Sequence, residues 1–275
     1  MVSKRELRRW QRVFHRIGAE AQAIALKWYG TGKARKVVGR GAGGDSTVWL
    51  DKVLENIVIR HVRQEGNARL ISEEAGLLEF GTPRVTIIAD PLDGSNNAKL
   101  GIPLFAISLA LAPLEATLGN IEYGYVRNLV TGQEYTGAIG SGAFLDDKRL
   151  GGSGRKGVVF LGMELSQLTP VLLKKSSRFM IAAGKVRSPG SIALDLCFVA
   201  QGAFDAVVDV RGRIRALDIA APCLIVKEAG GVVSGFEGES LDYVRVDPKE
   251  KVCFIATGNR KMHGKLMKML KPHVH

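Results

Sequence analysis

Apolar residues recur at helical intervals near the start of the chain, with Trp10, Val13, Phe14 and Ile17 three or four positions apart among Lys4, Arg5, Arg8, Arg9, Arg12 and Arg16. That spacing puts an apolar stripe on one side of a helix and charge on the other, so it predicts an amphipathic helix from Lys4 to Tyr29 whose apolar face packs inward. A second helix is predicted from Val48 to Arg63. The pattern then shortens. Apolar, β-rich runs at Val85–Ala89, Phe105–Leu111 and Tyr123–Val126 read as strands, and Leu70-Ile71-Ser72 leads into the acidic pair Glu73-Glu74. In the later part, short β-like runs (Val158–Leu161, Phe179–Ala182, Ala206–Val210) alternate with helical ones (Ile192–Ala200, Ala220–Glu228), which predicts layered α and β structure. Glycines thicken between Gly132 and Ala143, so two halves, 1–135 and 136–275, are expected to meet there.

The richest chemistry sits at the end of the Val85–Ala89 run, in Asp90-Pro91-Leu92-Asp93-Gly94-Ser95. A buried strand would release Asp90 at its carboxyl end, where ligands gather in α/β sheets. Pro91 cannot continue a hydrogen-bonded ladder, which turns both carboxylates out into one turn. Gly94 lets the backbone approach a ligand closely, and Ser95 is suited to cap a helix whose N–H groups face a bound anion. The turn therefore reads as a shared metal and phosphate site. Glu73-Glu74 is a like-charge pair that a packed core tolerates only with a cation, and Asp218 heads a long apolar segment ending at Gly230-Gly231.

Other acidic-turn chemistries fit poorly. An EF-hand loop needs acids at alternate positions, and Leu92 stands at one of them. The five histidines (His15, His61, His263, His273, His275) form no HExxH pair, which argues against a zinc hydrolase. Oxygen ligation without histidine points to Mg²⁺ or Mn²⁺. Gly39-Arg40-Gly41-Ala42-Gly43-Gly44 satisfies G-x-G-x-x-G, but a helical stretch precedes it where a dinucleotide fold needs a strand. A mobile loop flanking the metal site accounts for these glycines more simply.

Taken in order, Glu73-Glu74, then Asp90 to Ser95, then Asp218-Ile219-Ala220-Ala221 resembles the inositol monophosphatase and fructose-1,6-bisphosphatase superfamily. The resemblance extends to Gly43-Gly44-Asp45-Ser46-Thr47 with Asp51, Gly101-Ile102-Pro103, Gly190-Ser191, Gly202 to Asp209, and Glu228-Ala229-Gly230-Gly231, and is greatest to archaeal-type enzymes that accept both substrates. It implies an α+β fold, a layered αβαβα sandwich of the sugar phosphatase type. It also implies that Glu73, Asp90, the Leu92 carbonyl, Asp93 and Asp218 hold two or three Mg²⁺ ions, with Asp45 near a third. Glu73, Asp51 and Ser95 are the implied catalytic residues, Asp51 and Ser95 orienting the attacking water. Paired metals in such sites activate water and neutralise the leaving oxygen.

By the same resemblance the N–H groups of Gly94 and Ser95 hold phosphate oxygens beside Asp93, while Gly190, Ser191 and Asp209 face the alcohol. Arg211, Arg213 and Arg215 lie between Asp209 and Asp218 and are expected to meet a second phosphate. Leu217 and Pro222 depart from the family, which often has Trp and usually Gly there, and Pro222 is expected in the first turn of its helix. The implied activity is Mg²⁺-dependent hydrolysis of fructose 1,6-bisphosphate and myo-inositol 1-phosphate. A nucleotide 3′-phosphatase of the same superfamily is the alternative, although Asn96-Asn97-Ala98 stands where nucleotide-directed relatives usually carry Lys-Glu-Phe. The other alternative is a non-catalytic or nucleic-acid-binding relative, which would be expected to have lost an acid.

Composition changes this picture little. A net charge of +12 raises nucleic-acid binding, but the basic residues of the first helix are interleaved with its apolar stripe and read as a solvated face. The surplus suits anionic sugars instead. Cys197, Cys223 and Cys253 are widely spaced in apolar surroundings and are expected as buried thiols of a reducing compartment. With no apolar leader and no run of about 20 apolar residues, a cytoplasmic protein without membrane or nucleic-acid partners is expected. The family implies a homodimer.

Overall fold

The computed structural model describes residues 1–41 and 46–270. Chain order begins with α1 (Lys4–Trp28), the hairpin β1 (Val37–Arg40) and β2 (Ser46–Val48), and α2 (Trp49–Glu65). Then come β3 (Ala68–Ser72), β4 (Gly76–Phe80), β5 (Val85–Asp93), α3 (Ser95–Leu100), β6 (Ala106–Ala112), β7 (Tyr123–Asn128), β8 (Glu134–Ala138), β9 (Gly142–Leu145) and β10 (Lys148–Arg149). The later part contains β11 (Phe160–Met163), α4 (Pro170–Ala182), β12 (Lys185–Arg187), α5 (Ile192–Gln201), β13 (Ala206–Arg215), α6 (Ala216–Glu228), β14 (Val232–Ser234), β15 (Lys251–Thr257) and α7 (Arg260–Leu270). An eight-stranded sheet has the order β10-β9-β8-β7-β6-β5-β3-β4, and a five-stranded sheet the order β12-β11-β13-β15-β14.

Five layers follow from which side chains share a core. Trp10, Phe14 and Ile17 of α1 and Leu50, Leu54 and Val58 of α2 pack on one face of the large sheet, against Ile87, Ile107, Leu109 and Tyr125. Alternate residues of the same strands, Ile88, Ala110 and Val126, face the buried helices α5 and α6, which the small sheet covers with Val207 and Phe254. Phe179 and Leu266, from α4 and α7, pack with Val208 and Ile255 on the outer face of the small sheet. The arrangement is the αβαβα sandwich expected. Helix α6 is buried from Ala216 to Val226, as suits a helix apolar on all sides between two sheets.

Small residues set how close α6 comes. A Cβ on Gly124 would lie 2.6 Å from the Ala221 carbonyl oxygen, and one on Gly137 3.1 Å from the Ile225 Cα, so at these points only glycine lets helix and sheet touch backbone to backbone. That approach carries the first turn of α6, and with it Asp218, to the carboxyl ends of β3 and β5.

Several sequence expectations change. Pro91 lies inside β5: Asp90 pairs with Ser108 and Asp93 with Ala106, so the strand gains one residue in a bulge there. The run Phe179–Ala182 is the last turn of α4, because four apolar residues do not distinguish strand from helix, whereas Thr169 caps Leu172 ahead of Pro170 at the helix start. Helix α6 begins at Ala216, so Pro222 lies in its interior and withdraws the N–H that would bond to the Asp218 carbonyl. Ser95 is the first residue of α3, and Gly94, with φ +83°, is its cap. The Gly-rich stretch begins inside β1, with Gly39 and Arg40 in the strand rather than after a helix, and β1 pairs antiparallel with β2, so it belongs to no βαβ unit; Ala42 to Asp45 lie outside the described residues. The division expected at 135/136 falls within β8, and the large sheet continues to Arg149. The described residues include no helix long and apolar enough to cross a membrane, and the three cysteines are unpaired thiols.

Replacing Gly124 with Ala should force α6 off the sheet and cost about 1–3 kcal/mol of stability, read as a lowered midpoint in thermal denaturation. An unchanged midpoint would show that this close approach is not required.

Candidate active site

Three elements from different parts of the chain each deliver one acid. Glu73 leaves the end of β3, where its N–H bonds to the Ala89 carbonyl at 3.3 Å. Asp90 is presented by the β5 bulge, and its Oδ1 accepts the Leu92 N–H at 3.1 Å. Asp218 is in the first turn of α6, and its Oδ2 accepts the Arg215 N–H at 3.0 Å. Oxygens of Glu73, Asp90 and Asp218 all come within 4.8 Å of one another. Asp90 and Asp218 are buried. Burial followed by the charges of Glu73, Asp93 and Asp218 pushes the Asp90 pKa well above the usual carboxylate range. Asp218 is pushed up to about 7, chiefly by burial, although Arg215 opposes the shift.

These features fit a hard cation. Every donor is a carboxylate oxygen, and Oδ1 of Asp218 is buried without a hydrogen-bond partner. The Arg215 guanidinium compensates in part: it donates to Glu73 and, at 3.3 Å, to Oδ2 of Asp218.

Asp93 is used differently. Its carboxylate accepts from the Ser191 hydroxyl, from the Ala193 N–H at 3.0 Å and from the Ile192 N–H at 3.2 Å, all at the start of α5. Unpaired N–H groups at a helix N-terminus favour an anion there; Oδ2 takes two of these three bonds, whereas Oδ1 takes one and keeps a lone pair for another partner. Gly94 follows in the left-handed region, where a Cβ would meet the Gly190 and Leu104 carbonyls at 3.1 and 3.2 Å. Asn97 ties the same corner together by donating to the Leu104 and Pro189 carbonyls at 2.7 and 2.8 Å. Gly190 and Ser191 are thereby fixed beside Gly94 and Ser95.

On the other flank, buried Asp51 on α2 accepts the Val48 N–H at 3.1 Å, and burial raises its pKa to about 7. Its Oδ1 has no partner. One helical turn on, Glu55 is fully buried with neither oxygen hydrogen-bonded, and burial raises it to about 7 as well. Glu74 accepts from the Thr47 hydroxyl, and a side chain at Gly41 would run into it.

Two cavities open from the acidic trio. The smaller, about 170 Å³, is lined by Gly94, Ser95, Gly190 and Ser191 with Glu164 and Asp195. The larger, about 490 Å³, is lined by Asp51, Glu74 and Ser95 with Lys99, Arg213 and Lys251. Leu92, Arg211 and Arg215 reach both.

The three arginines read together from sequence are thus separated. Arg211 is held by Asp209 through Nε at 2.8 Å and Nη2 at 2.6 Å, Arg215 joins the acidic trio, and Arg213 is exposed on the larger cavity alone. The cause is an excursion of β13: five steps from Asp209 to Ile214 span two steps of β15. Asp209 lines neither cavity, because Arg211 occupies its carboxylate. Asp45 lies outside the described residues. Sequence reading missed Asp195, Glu164, Lys99 and Lys251. Asp195 had a signal, being an acid within the apolar run of α5, while Lys99 and Lys251 are ordinary surface-type lysines until folding brings them to one cavity.

Comparison with known proteins identifies the family. The profile of the inositol monophosphatase family matches residues 6–275. The fructose-1,6-bisphosphatase/inositol-1-monophosphatase of Methanothermobacter thermautotrophicus is 32% identical over 272 residues, covering 95% of this chain and 96% of that one. The bifunctional NADP phosphatase/NAD kinase of Methanococcus maripaludis is 33% identical over 257 residues, covering 86% of this chain and 44% of that one. A crystal structure of an inositol monophosphatase-fructose 1,6-bisphosphatase superposes with a TM-score of 0.84 at 27% identity, covering 95% of this chain and 99% of that one.

Raised carboxylate pKa values have a definite sign. Below about pH 4 both the folded and unfolded states carry the protons; between about pH 4 and 7 the unfolded chain releases protons that the folded one keeps, so stability falls as pH rises. His263, whose pKa burial lowers, acts in the opposite sense. The cleaner comparison is therefore at fixed pH. With chelator at pH 7.5, Asp90→Asn should melt several degrees higher than wild type, and added Mg²⁺ should raise wild type more than the variant. A lower melting point for the chelated variant would contradict the repulsion inferred here.

Proposed function

The chain belongs to the inositol monophosphatase family and is a phosphatase of that superfamily, and from that premise we propose that it hydrolyses fructose 1,6-bisphosphate and myo-inositol 1-phosphate with Mg²⁺. The observation that carries the reading is the convergence of Glu73, Asp90 and Asp218 within 4.8 Å at the mouth of a small cavity bordered by Gly190 and Ser191. Glu73, Asp90, the Leu92 carbonyl, Asp93 and Asp218 would hold two or three Mg²⁺ ions, for which Mn²⁺ can substitute, with Asp45 contributing to a third. When bound, Mg²⁺ supplies Lewis acidity toward the phosphate oxygens and lowers the pKa of water.

The chain's own groups account for the remaining steps. Asp51, with its pKa near 7 and one oxygen without a partner, is poised to hold the attacking water and accept its proton at neutral pH. The Ser95 hydroxyl orients that water from the same cavity. Backbone N–H groups of Gly94 and Ser95 hold phosphate oxygens as charge builds on them, an interaction of about 3 kcal/mol per donor in comparable sites. The sugar or inositol ring lies in the smaller cavity, where Gly190 and Ser191 border its hydroxyls. Arg211, clamped by Asp209, is placed to meet a second phosphate.

The relative with NADP phosphatase activity in its name makes NADP, beside adenosine 3′,5′-bisphosphate, the competing substrate to test. Phosphate release should be measured from all four compounds, with Mg²⁺ and then with chelator. Metal-dependent release favouring fructose 1,6-bisphosphate and inositol 1-phosphate is expected, and preference for either nucleotide would overturn the substrate assignment. Asp218→Asn should lower kcat about a thousandfold while the circular dichroism spectrum stays that of the folded protein. Wild-type turnover in that variant would remove Asp218 from the site.

A further inference from the structure

The two cavities differ in charge as well as size. Six carboxylates and two arginines line the smaller one, whereas five cations (Lys99, Arg211, Arg213, Arg215 and Lys251) and four carboxylates line the larger. Among the described residues, Arg211 and Arg215 are engaged by Asp209, Glu73 and Asp218, but no carboxylate forms an ion pair with Lys99, Arg213 or Lys251. Lys99 donates to the Asn96 amide oxygen at 3.4 Å, and its charge also acts on Asp51. These three cations come from α3, the β13 excursion and the start of β15, so folding alone brings them to one cavity.

In phosphoryl transfer the attacking and leaving oxygens lie roughly in line on opposite sides of phosphorus. On the proposed function, the alcohol leaves on the side of Gly190 and Ser191, and water enters from the side of Asp51 and Ser95. A space of about 490 Å³ is far larger than one water requires. We propose that the larger cavity is a separate binding site for inorganic phosphate, held by Lys99, Arg213 and Lys251, through which the product leaves without passing the alcohol. The three cations, none of them in an ion pair among the described residues, suit a tetrahedral dianion.

The test is binding of inorganic phosphate to the chelated full-length protein, followed by thermal shift and by calorimetry, so that it does not depend on turnover. The variant Lys99→Gln/Arg213→Gln/Lys251→Gln should need about tenfold more phosphate for half-saturation than wild type. A control that removes the same charge from the exposed face of α1, Arg5→Gln/Arg8→Gln/Arg12→Gln, should bind as wild type does. Absence of phosphate binding to wild type, equal binding by wild type and the cavity variant, or equal weakening in both variants would each overturn the proposal, the last by showing general charge attraction. Arg213→Glu alone, at an exposed position, should also weaken binding, and wild-type affinity in that variant would remove Arg213 from the site. Failure of metal-dependent phosphate release would instead strike the proposed function and leave this measurement standing.

Discussion

Mutual repulsion among Glu73, Asp90, Asp93 and Asp218 is the constraint around which the fold is arranged. Bringing such carboxylates together out of water is unfavourable, as the raised pKa values of Asp90, Asp93 and Asp218 express. The structure bears this cost through features found elsewhere in the chain. Glycines 124 and 137 let α6 lie against the large sheet, the Pro91 bulge turns Asp90 outward, and the start of α5 supplies three hydrogen bonds to Asp93. Arg215 offsets part of the charge, and a metal ion would offset the rest. A site whose own acids oppose the fold is what a binding centre looks like when stability has been exchanged for affinity.

The features legible in sequence were those whose physics is local. Residues Asp90 to Ser95 announced an irregular backbone, found as the β5 bulge and the left-handed Gly94, because proline and glycine constrain the backbone wherever they occur, and α1 announced itself because its apolar stripe has one period over many turns. What was misread depended on distant parts of the chain. Phe179–Ala182 is too short for its periodicity to decide, and the start of α6 was hidden because the cap is Arg215, bonded through the Asp218 side chain rather than by its own. The three arginines looked like one cluster because they are close in sequence between Asp209 and Asp218. An excursion of β13 against β15 separates them, and nothing in β13 itself reveals it.

Two flanks of one acidic centre also give the site a direction. Six carboxylates border the small cavity, whereas the large one adds Lys99, Arg213 and Lys251, which form no ion pair among the described residues, so a neutral ring and a departing anion would be sorted to different sides on the proposals made above. The net charge of +12 is therefore not spread without consequence: part of it is gathered where a phosphate would pass. The basic face of α1 lies on the far side of the large sheet from α6, in the outer layer of the sandwich, and part of it is spent on Glu65, which pairs with Arg9 and Arg16.

The account stands or falls on whether Glu73, Asp90 and Asp218 bind a cation together. Anomalous diffraction from crystals grown with Mn²⁺ tests this directly. The prediction is a manganese peak within about 2.5 Å of a carboxylate oxygen from each of the three residues. Crystals with Mn²⁺ bound elsewhere on the protein and none among these three carboxylates would contradict it.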